Sequence, residues 1–222
     1  MRKKVLMVFL IPSVLIIICL VILLIKHNSK SNIDENGQVK YLQSEIENIF
    51  ILLDEENQNI ENIKNKYQSM YQNTPNIMLE LYEKGINQEK ILGFNDMLDN
   101  VLHEMNTQNI SKVFEDLSDL YGFLPDFIVN DDLYKNILEI KINIYKCRSA
   151  LNNDDWDRVN KYNQQAVQEY IDILNSVDER LNQKQVNVTY ITINEMDNAI
   201  KLRDKAIYLI KYKFLLEQLN SI

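Results

Sequence analysis

The chain has 222 residues, of which only 4 are Gly and 3 are Pro, and it carries a formal charge of −8. So few turn-forming residues exclude a many-stranded β architecture and favour long helices. Residues 1–30 hold Arg2, Lys3, Lys4, Lys26 and Lys30 and no acid, a charge of +5 that leaves the rest of the chain at −13. A body this acidic excludes an extended nucleic-acid interface, which needs clustered Lys and Arg to displace counterions.

The first element is an uncharged run that begins at Val5 and ends at Ile25, interrupted only by Pro12, Ser13 and Cys19. At 1.5 Å per residue such a helix is about 31 Å long, matching the hydrocarbon thickness of a bilayer. A cleaved signal peptide would have a shorter apolar core and small residues at the cut. A lipoprotein signal would need a small residue before Cys19, where Ile18 stands. The expectation is therefore an uncleaved transmembrane helix at residues 5–25, with the lipid bilayer as its partner. Arg2, Lys3 and Lys4 precede the run, so residues 1–4 are expected to be a short cytoplasmic tail. That orientation places the C-terminal domain outside the plasma membrane of a single-pass protein.

Residues 26–38 are polar and read as a tether, followed by an all-helical soluble domain at residues 39–222. Its strongest pattern is Val39, Leu42, Ile46, Ile49, Leu53, Glu56, Ile60, Ile63, Tyr67 and Met70, spaced +3 and +4 without a slip. Apart from Glu56 every position is apolar, which predicts one long helix with a coiled-coil stripe. The stripe is a candidate surface for a protein partner or for self-association. The competing reading makes it one wall of an intramolecular bundle.

Asn73, Thr74 and Pro75 predict a helix end and a new start, and Gly85 a C-terminal cap. A third helix from about Asn87 shows an apolar face of Ile91, Phe94, Leu98, Val101, Leu102 and Met105. A fourth carries Ile110, Val113, Phe114, Leu117 and Leu120 and ends at Gly122, before a compact apolar turn through Phe123, Leu124 and Pro125. Asp131 or Asp132 caps a helix bearing Ile137, Leu138, Ile144, Cys147 and Leu151. After a break at Asn152 to Asp155, a helix from Trp156 to about Leu181 is predicted to turn Val159, Tyr162, Ala166, Tyr170, Ile173, Leu174 and Val177 inward. A β-branched, polar connector spans residues 182–189. The last helix shows Ile193, Met196, Ile200, Ile207, Ile210 and Phe214. Consecutive long helices with short links predict an all-α fold, a transmembrane helix followed by a multi-helix bundle.

Asp155-Trp156, Ala199-Ile200 and Asp204 punctuate the stretch from Trp156 to Leu219. In this it resembles the C-terminal part of small membrane- or lipid-anchored helical envelope proteins of clostridia and their relatives. The resemblance implies a bacterial envelope setting and brings no activity, cofactor or site residue with it.

Catalytic constellations are not found in the sequence. No glycine spacing fits a phosphate-binding loop or a dinucleotide fingerprint. His27 and His103 are the only histidines, and neither has the neighbours of a zincin, a di-iron site or a triad. Cys19 and Cys147 cannot meet, and Cys147 reads as a small buried hydrophobe. The acidic pairs Asp116/Asp119, Asp131/Asp132 and Asp154/Asp155 fit caps and solvated faces. The expectation is a membrane-anchored structural or interaction protein of the cell envelope that is not an enzyme and holds no metal or cofactor. The alternative is an extracytoplasmic bundle that binds a small apolar molecule or a cation.

Overall fold

The computed structural model describes residues 34–222 apart from residue 56 and residues 176–179. The expected tail, the span at residues 5–25, most of the tether, Glu56 and Val177 lie outside the described residues. Within them the chain is all α, with eight α-helices, one short 3-10 helix and no strand, and none of these helices is long and apolar enough to cross a membrane.

The first finding corrects the single long heptad helix. The pattern is carried by two helices, α1 (Gly37–Leu53) and α2 (Ile60–Glu83). Polar side chains in the intervening loop take over the backbone groups that a continuous helix would bond. Gln58 Nε2 donates to the Leu53 carbonyl at 2.5 Å, and Asn59 caps α2 by accepting from the Asn62 amide at 3.1 Å. The helices then run antiparallel, as the pairings Gln38 with Glu80, Asn73 with Tyr41 and Lys66 with Glu45 require. The two halves of the stripe thus share one core. Val39, Leu42, Ile46, Ile49, Leu53, Ile63, Tyr67 and Met70 are buried, and Ile60 is half-buried.

The second correction concerns Pro75, which lies inside α2 instead of starting a new helix. Its ring removes one amide from the ladder. Thr74 Oγ1 donates to the Met70 carbonyl at 2.9 Å and Asn73 Nδ2 to the Ser69 carbonyl at 3.0 Å, so side chains bind carbonyls of the same turn. Buried Ile77, Met78 and Leu81 beyond the proline hold the helix to the core. It ends at Gly85, whose φ of +91° suits a residue without a Cβ.

Helices α3 (Gln88–Thr107) and α4 (Ile110–Tyr121) follow the predicted faces, although Leu102 and Ile110 are only half-buried. Tyr67 on α2 donates to the Leu98 carbonyl of α3 at 2.5 Å. The Gly122 turn continues into the 3-10 helix (Leu124–Phe127), whose Phe127 ring meets Phe94 at 5.5 Å. Asp131 then caps α5 (Asp132–Asn152).

The hub of the domain is α5. Its pairings with α1, namely Gln43 with Tyr134, Glu47 with Lys141 and Asp54 with Arg148, advance together along both helices, so α1 and α5 run parallel. Against it lies α6 (Trp156–Asn175), antiparallel, where the Cys147 thiol donates to the Val159 carbonyl at 3.3 Å. On α6, Val159, Asn163, Ala166, Tyr170 and Ile173 face inward. Tyr162 is half-buried, and Leu174 is exposed, one residue and about 100° past the stripe.

Two further expectations change at the C-terminal end. The polar connector is the first part of α7 (Gln183–Leu202), capped by Asn182, and buried Val186 and Thr189 fall into step with Ile193, Met196 and Ile200. Burial on one face outweighs the weak helix propensity of β-branched residues. The last predicted helix is also divided. Arg203 adopts a left-handed conformation and Asp204 caps a separate α8 (Lys205–Asn220). The break resets the helical phase, so Tyr208, Tyr212, Leu215 and Leu219 are buried. The expected inward residues Ile207, Ile210 and Phe214 are exposed instead.

The register of α6 gives a direct test by urea denaturation. Ile173→Asp should cost about 3–5 kcal/mol by burying an unpaired carboxylate, and Leu174→Asp less than about 1 kcal/mol. Equal losses would contradict the face assigned to α6.

Candidate functional site

Lys141 sits in the middle of α5 between Ile140 and Ile142, with 2 % of its side chain exposed. An ammonium there needs partners, and they come from both ends of the chain. Glu47 Oε1 on α1 lies 3.0 Å from Nζ, and Asn220 Oδ1 on α8 accepts a second bond. Burial lowers the Lys141 pKa and Glu47 opposes that shift. Glu47 Oε1 also accepts from the Tyr121 hydroxyl at 2.7 Å and from Gln43 Nε2 at 2.8 Å.

Two turns along the same helices, Arg148 Nε donates to Asp54 Oδ1 at 2.7 Å, and its guanidinium lies 5.1 Å from the centre of the Phe114 ring. Between the two ion pairs, Phe50 and Tyr145 stack at 3.9 Å with planes 9° apart. Tyr212 from α8 meets the edge of Tyr145 at 6.5 Å.

These groups form the back of a cleft of about 310 Å³ between α1, α5 and α8. Glu47, Phe50, Ile51 and Asp54 line one side, Tyr145 the floor, and Tyr212, Leu216 and Asn220 the other, with Lys213 and Glu217 also on α8. The volume is near the lower end for small-molecule sites. The cleft is rich in acceptors. Glu47 uses Oε1 for its three bonds and Asp54 uses Oδ1 for Arg148, which leaves Oε2 and Oδ2 for further donors. The Tyr212 hydroxyl is buried on the Asp54 side without a hydrogen-bond partner at normal distance. Burial raises the pKa values of Tyr121, Tyr145 and Tyr212 well above the ordinary range, so all three remain neutral phenols.

The candidate stripe from Val39 to Met70 does not form this site, because its buried members face the core. Glu47, Phe50, Asp54, Tyr145 and Tyr212 were not singled out in the sequence. One signal did exist: Lys141 lies four residues after Ile137 and three before Ile144, a cation on an apolar face that demands an acid from elsewhere. The other residues considered take structural roles. Cys147 is buried and its thiol is pushed up to about 12 by desolvation, so it is no nucleophile. Asp116 pairs with Lys112 at 2.8 Å and Asp119 with Lys146 at 3.3 Å, while Asp131 and Asp155 cap helices. His103 is exposed, and His27 lies outside the described residues. Among the described residues no cluster of three or more His, Cys, Asp or Glu is arranged to hold a metal ion.

A second ionisable locus lies on the far side of α5. Asn143 Nδ2 donates to both oxygens of Glu169 at 2.9 Å. Burial raises that carboxyl from 4.5 to about 7, opposed by Asn143 and reinforced by Glu139 and Asp172.

No protein-family model, curated protein or solved structure matches the chain.

Two outcomes follow from these ion networks. Lys141→Met should cost about 3–5 kcal/mol by stranding Glu47, and adding Glu47→Gln should restore most of that loss while keeping an acceptor for Tyr121. Additive losses in the chemical-denaturation cycle would show that the two residues are uncoupled. For Glu169, the folded chain binds more protons than the unfolded chain between pH 4.5 and about 7, so stability should fall as pH rises through that window. With partial solvent screening the fall should be about 1–2 kcal/mol. Glu169→Gln should flatten that part of the stability-against-pH curve, and an unchanged slope would assign it to other groups.

Proposed function

We propose that this chain is a membrane-anchored helical bundle of the bacterial cell envelope that binds a small organic ammonium ion in the α1/α5/α8 cleft. The observation that carries the reading is an acceptor-rich, aromatic-walled cleft with a buried Tyr212 hydroxyl that faces Asp54 outside normal hydrogen-bond geometry. Acceptors left by two ion pairs recognise a donor-bearing ligand, and the rings and Leu216 accommodate an apolar body. Aromatic faces add attraction for a cation. The anchor rests on the uncharged run from Val5 to Ile25, and the outward orientation on Arg2, Lys3 and Lys4 before it. The resemblance to clostridial envelope proteins agrees with that setting. The reading assigns no catalytic step to the chain.

Burial of the heptad stripe removes it as a ready contact surface, which favours ligand binding over partner recruitment through α1 and α2. Titration calorimetry of the detergent-solubilised full chain with short alkylammonium and arylalkylammonium ions tests the proposal. Binding should be saturable, and Tyr212→Phe should weaken it about five- to tenfold, the worth of one hydrogen bond. Unfolding should shift by less than about 1 kcal/mol, because the hydroxyl meets Asp54 only outside normal hydrogen-bond geometry. No saturable heat with any of these amines, or equal binding by the Tyr212→Phe chain, would remove the assignment of this cleft.

A further inference from the structure

The outward side of a helix packed on a bundle is ordinarily polar. Helix α8 departs from this. Its inner face holds Tyr208, Tyr212, Leu215 and Leu219, yet its outer face carries Ile207, Ile210 and Phe214, and Ile210 is 67 % exposed. Spacings of three and four place these three on one stripe, about 120° or more from the buried one. Leu202, at the corner where α7 ends, is 76 % exposed.

The charge around this stripe is also unlike the rest of the domain. Residues 201–213 carry Lys201, Arg203, Lys205, Lys211 and Lys213 against the single acid Asp204, in a chain whose remainder after residue 30 is at −13. Lys201, Lys205 and Lys211 are tied to Asp197, Asp154 and Glu195. Arg203 and Lys213 are exposed and make no ion pair with any described residue.

The geometry points to an anionic lipid surface as the occupant of this face. Apolar side chains on one stripe with cations at its border are the pattern of a helix lying in a membrane interface. An acidic domain beside an anionic surface orients by turning its least acidic corner toward that surface, and the α7/α8 corner is such a place. This inference rests on the anchored reading, and it does not need the cleft to hold a ligand. Residues 26–37 reach no further than about 43 Å when fully extended, so an anchored domain never leaves the vicinity of the bilayer. Confinement of that kind lets a modest surface stay occupied. A second copy fits less well. Three side chains on one helix fall far short of the roughly 800 Å² per partner of a stable interface, and a two-fold contact would bring Lys213 against its own counterpart.

The test uses the full chain reconstituted into vesicles that contain brominated lipid, with or without phosphatidylglycerol. Resistance to alkaline extraction establishes the anchor first, so a soluble chain reports failure of the anchored reading and not of docking. Phe214→Trp and, separately, Ile210→Trp are compared with the parent chain, whose single tryptophan is Trp156. In anionic vesicles each added indole should raise bromolipid quenching roughly twofold over the parent, and Ile207→Asp should abolish the gain. Quenching no greater than that of the parent for both variants would overturn the proposal. So would equal quenching in vesicles without anionic lipid, or loss of quenching with crosslinking between copies through position 210.

Discussion

The domain depends on the burial of one ammonium group in the middle of its central helix. Lys141 is shielded on every side, and an unpaired charge there would cost several kcal/mol. Its two partners are far away along the chain, Glu47 on the first helix and Asn220 in the last turn. Satisfying the ammonium therefore requires α1 and α8 to seat on α5 together, at a defined height. Glu47 is itself fixed by Tyr121 from α4 and by Gln43 one turn earlier. A slip of α1 along α5 by one turn would part Glu47 from Lys141 and Tyr121 at once, and Asp54 from Arg148. The network defines register more than it adds net stability, because desolvating both ions offsets much of their attraction.

The cleft follows from the same constraint. Two ion pairs held on the parallel helices α1 and α5 leave a strip between them, and the Phe50–Tyr145 stack fills its floor. Helix α8 crosses this strip antiparallel to α5, and Tyr208, Tyr212 and Asn220 descend along it. Each carboxylate meets its cation through one oxygen, so the cleft retains acceptor capacity without an unpaired buried charge. A site of this kind is pre-organised, because its walls are the load of the core and not a mobile loop.

Local chemistry along the chain was legible in part, since Thr74 and Pro75 were expected to open a helix and the caps Asn59, Asn182 and Asp204 were not foreseen. Asn87, Asp131 and Asp155 cap the helices that they precede, Gly85 ends α2, and the faces of α3 and α4 follow their apolar spacing. Breaks that keep the phase were not legible. The +3/+4 pattern continues across the break between Leu53 and Ile60, since each helix turns its own stripe to the same core and periodicity carries no sign of the reversal. At Arg203 the opposite happened. A break that shifts the phase leaves Ile207, Ile210 and Phe214 reading as a continuation of α7 when the buried set is one or two residues later, at Tyr208, Tyr212 and Leu215. The tyrosines misled because a ring with a hydroxyl scores as half-polar, yet Tyr208 and Tyr212 are among the most buried residues of the chain. The cleft was out of reach for a different reason: its members come from three helices whose pairing only the fold reveals.

Helix α8 joins the two proposed surfaces. Tyr212, Leu216 and Asn220 face the cleft and the core, while Ile207, Ile210 and Phe214 face away from both. The helix is only 16 residues long and follows the left-handed Arg203 that ends α7, so it is attached to α7 through a short, sharply defined corner. Its inner face meets α5 through Tyr212 against Tyr145 and Asn220 against Lys141, and it buries Leu215 and Leu219. Lipid on the outer stripe and a ligand against Tyr212, as proposed, would act on the same element, and any coupling between them would be reciprocal by thermodynamic linkage. Its sign depends on whether the two occupants favour the same position of α8. Asn220, bonded to Lys141 at the end of the helix, ties the helix that carries both surfaces back to the buried ammonium.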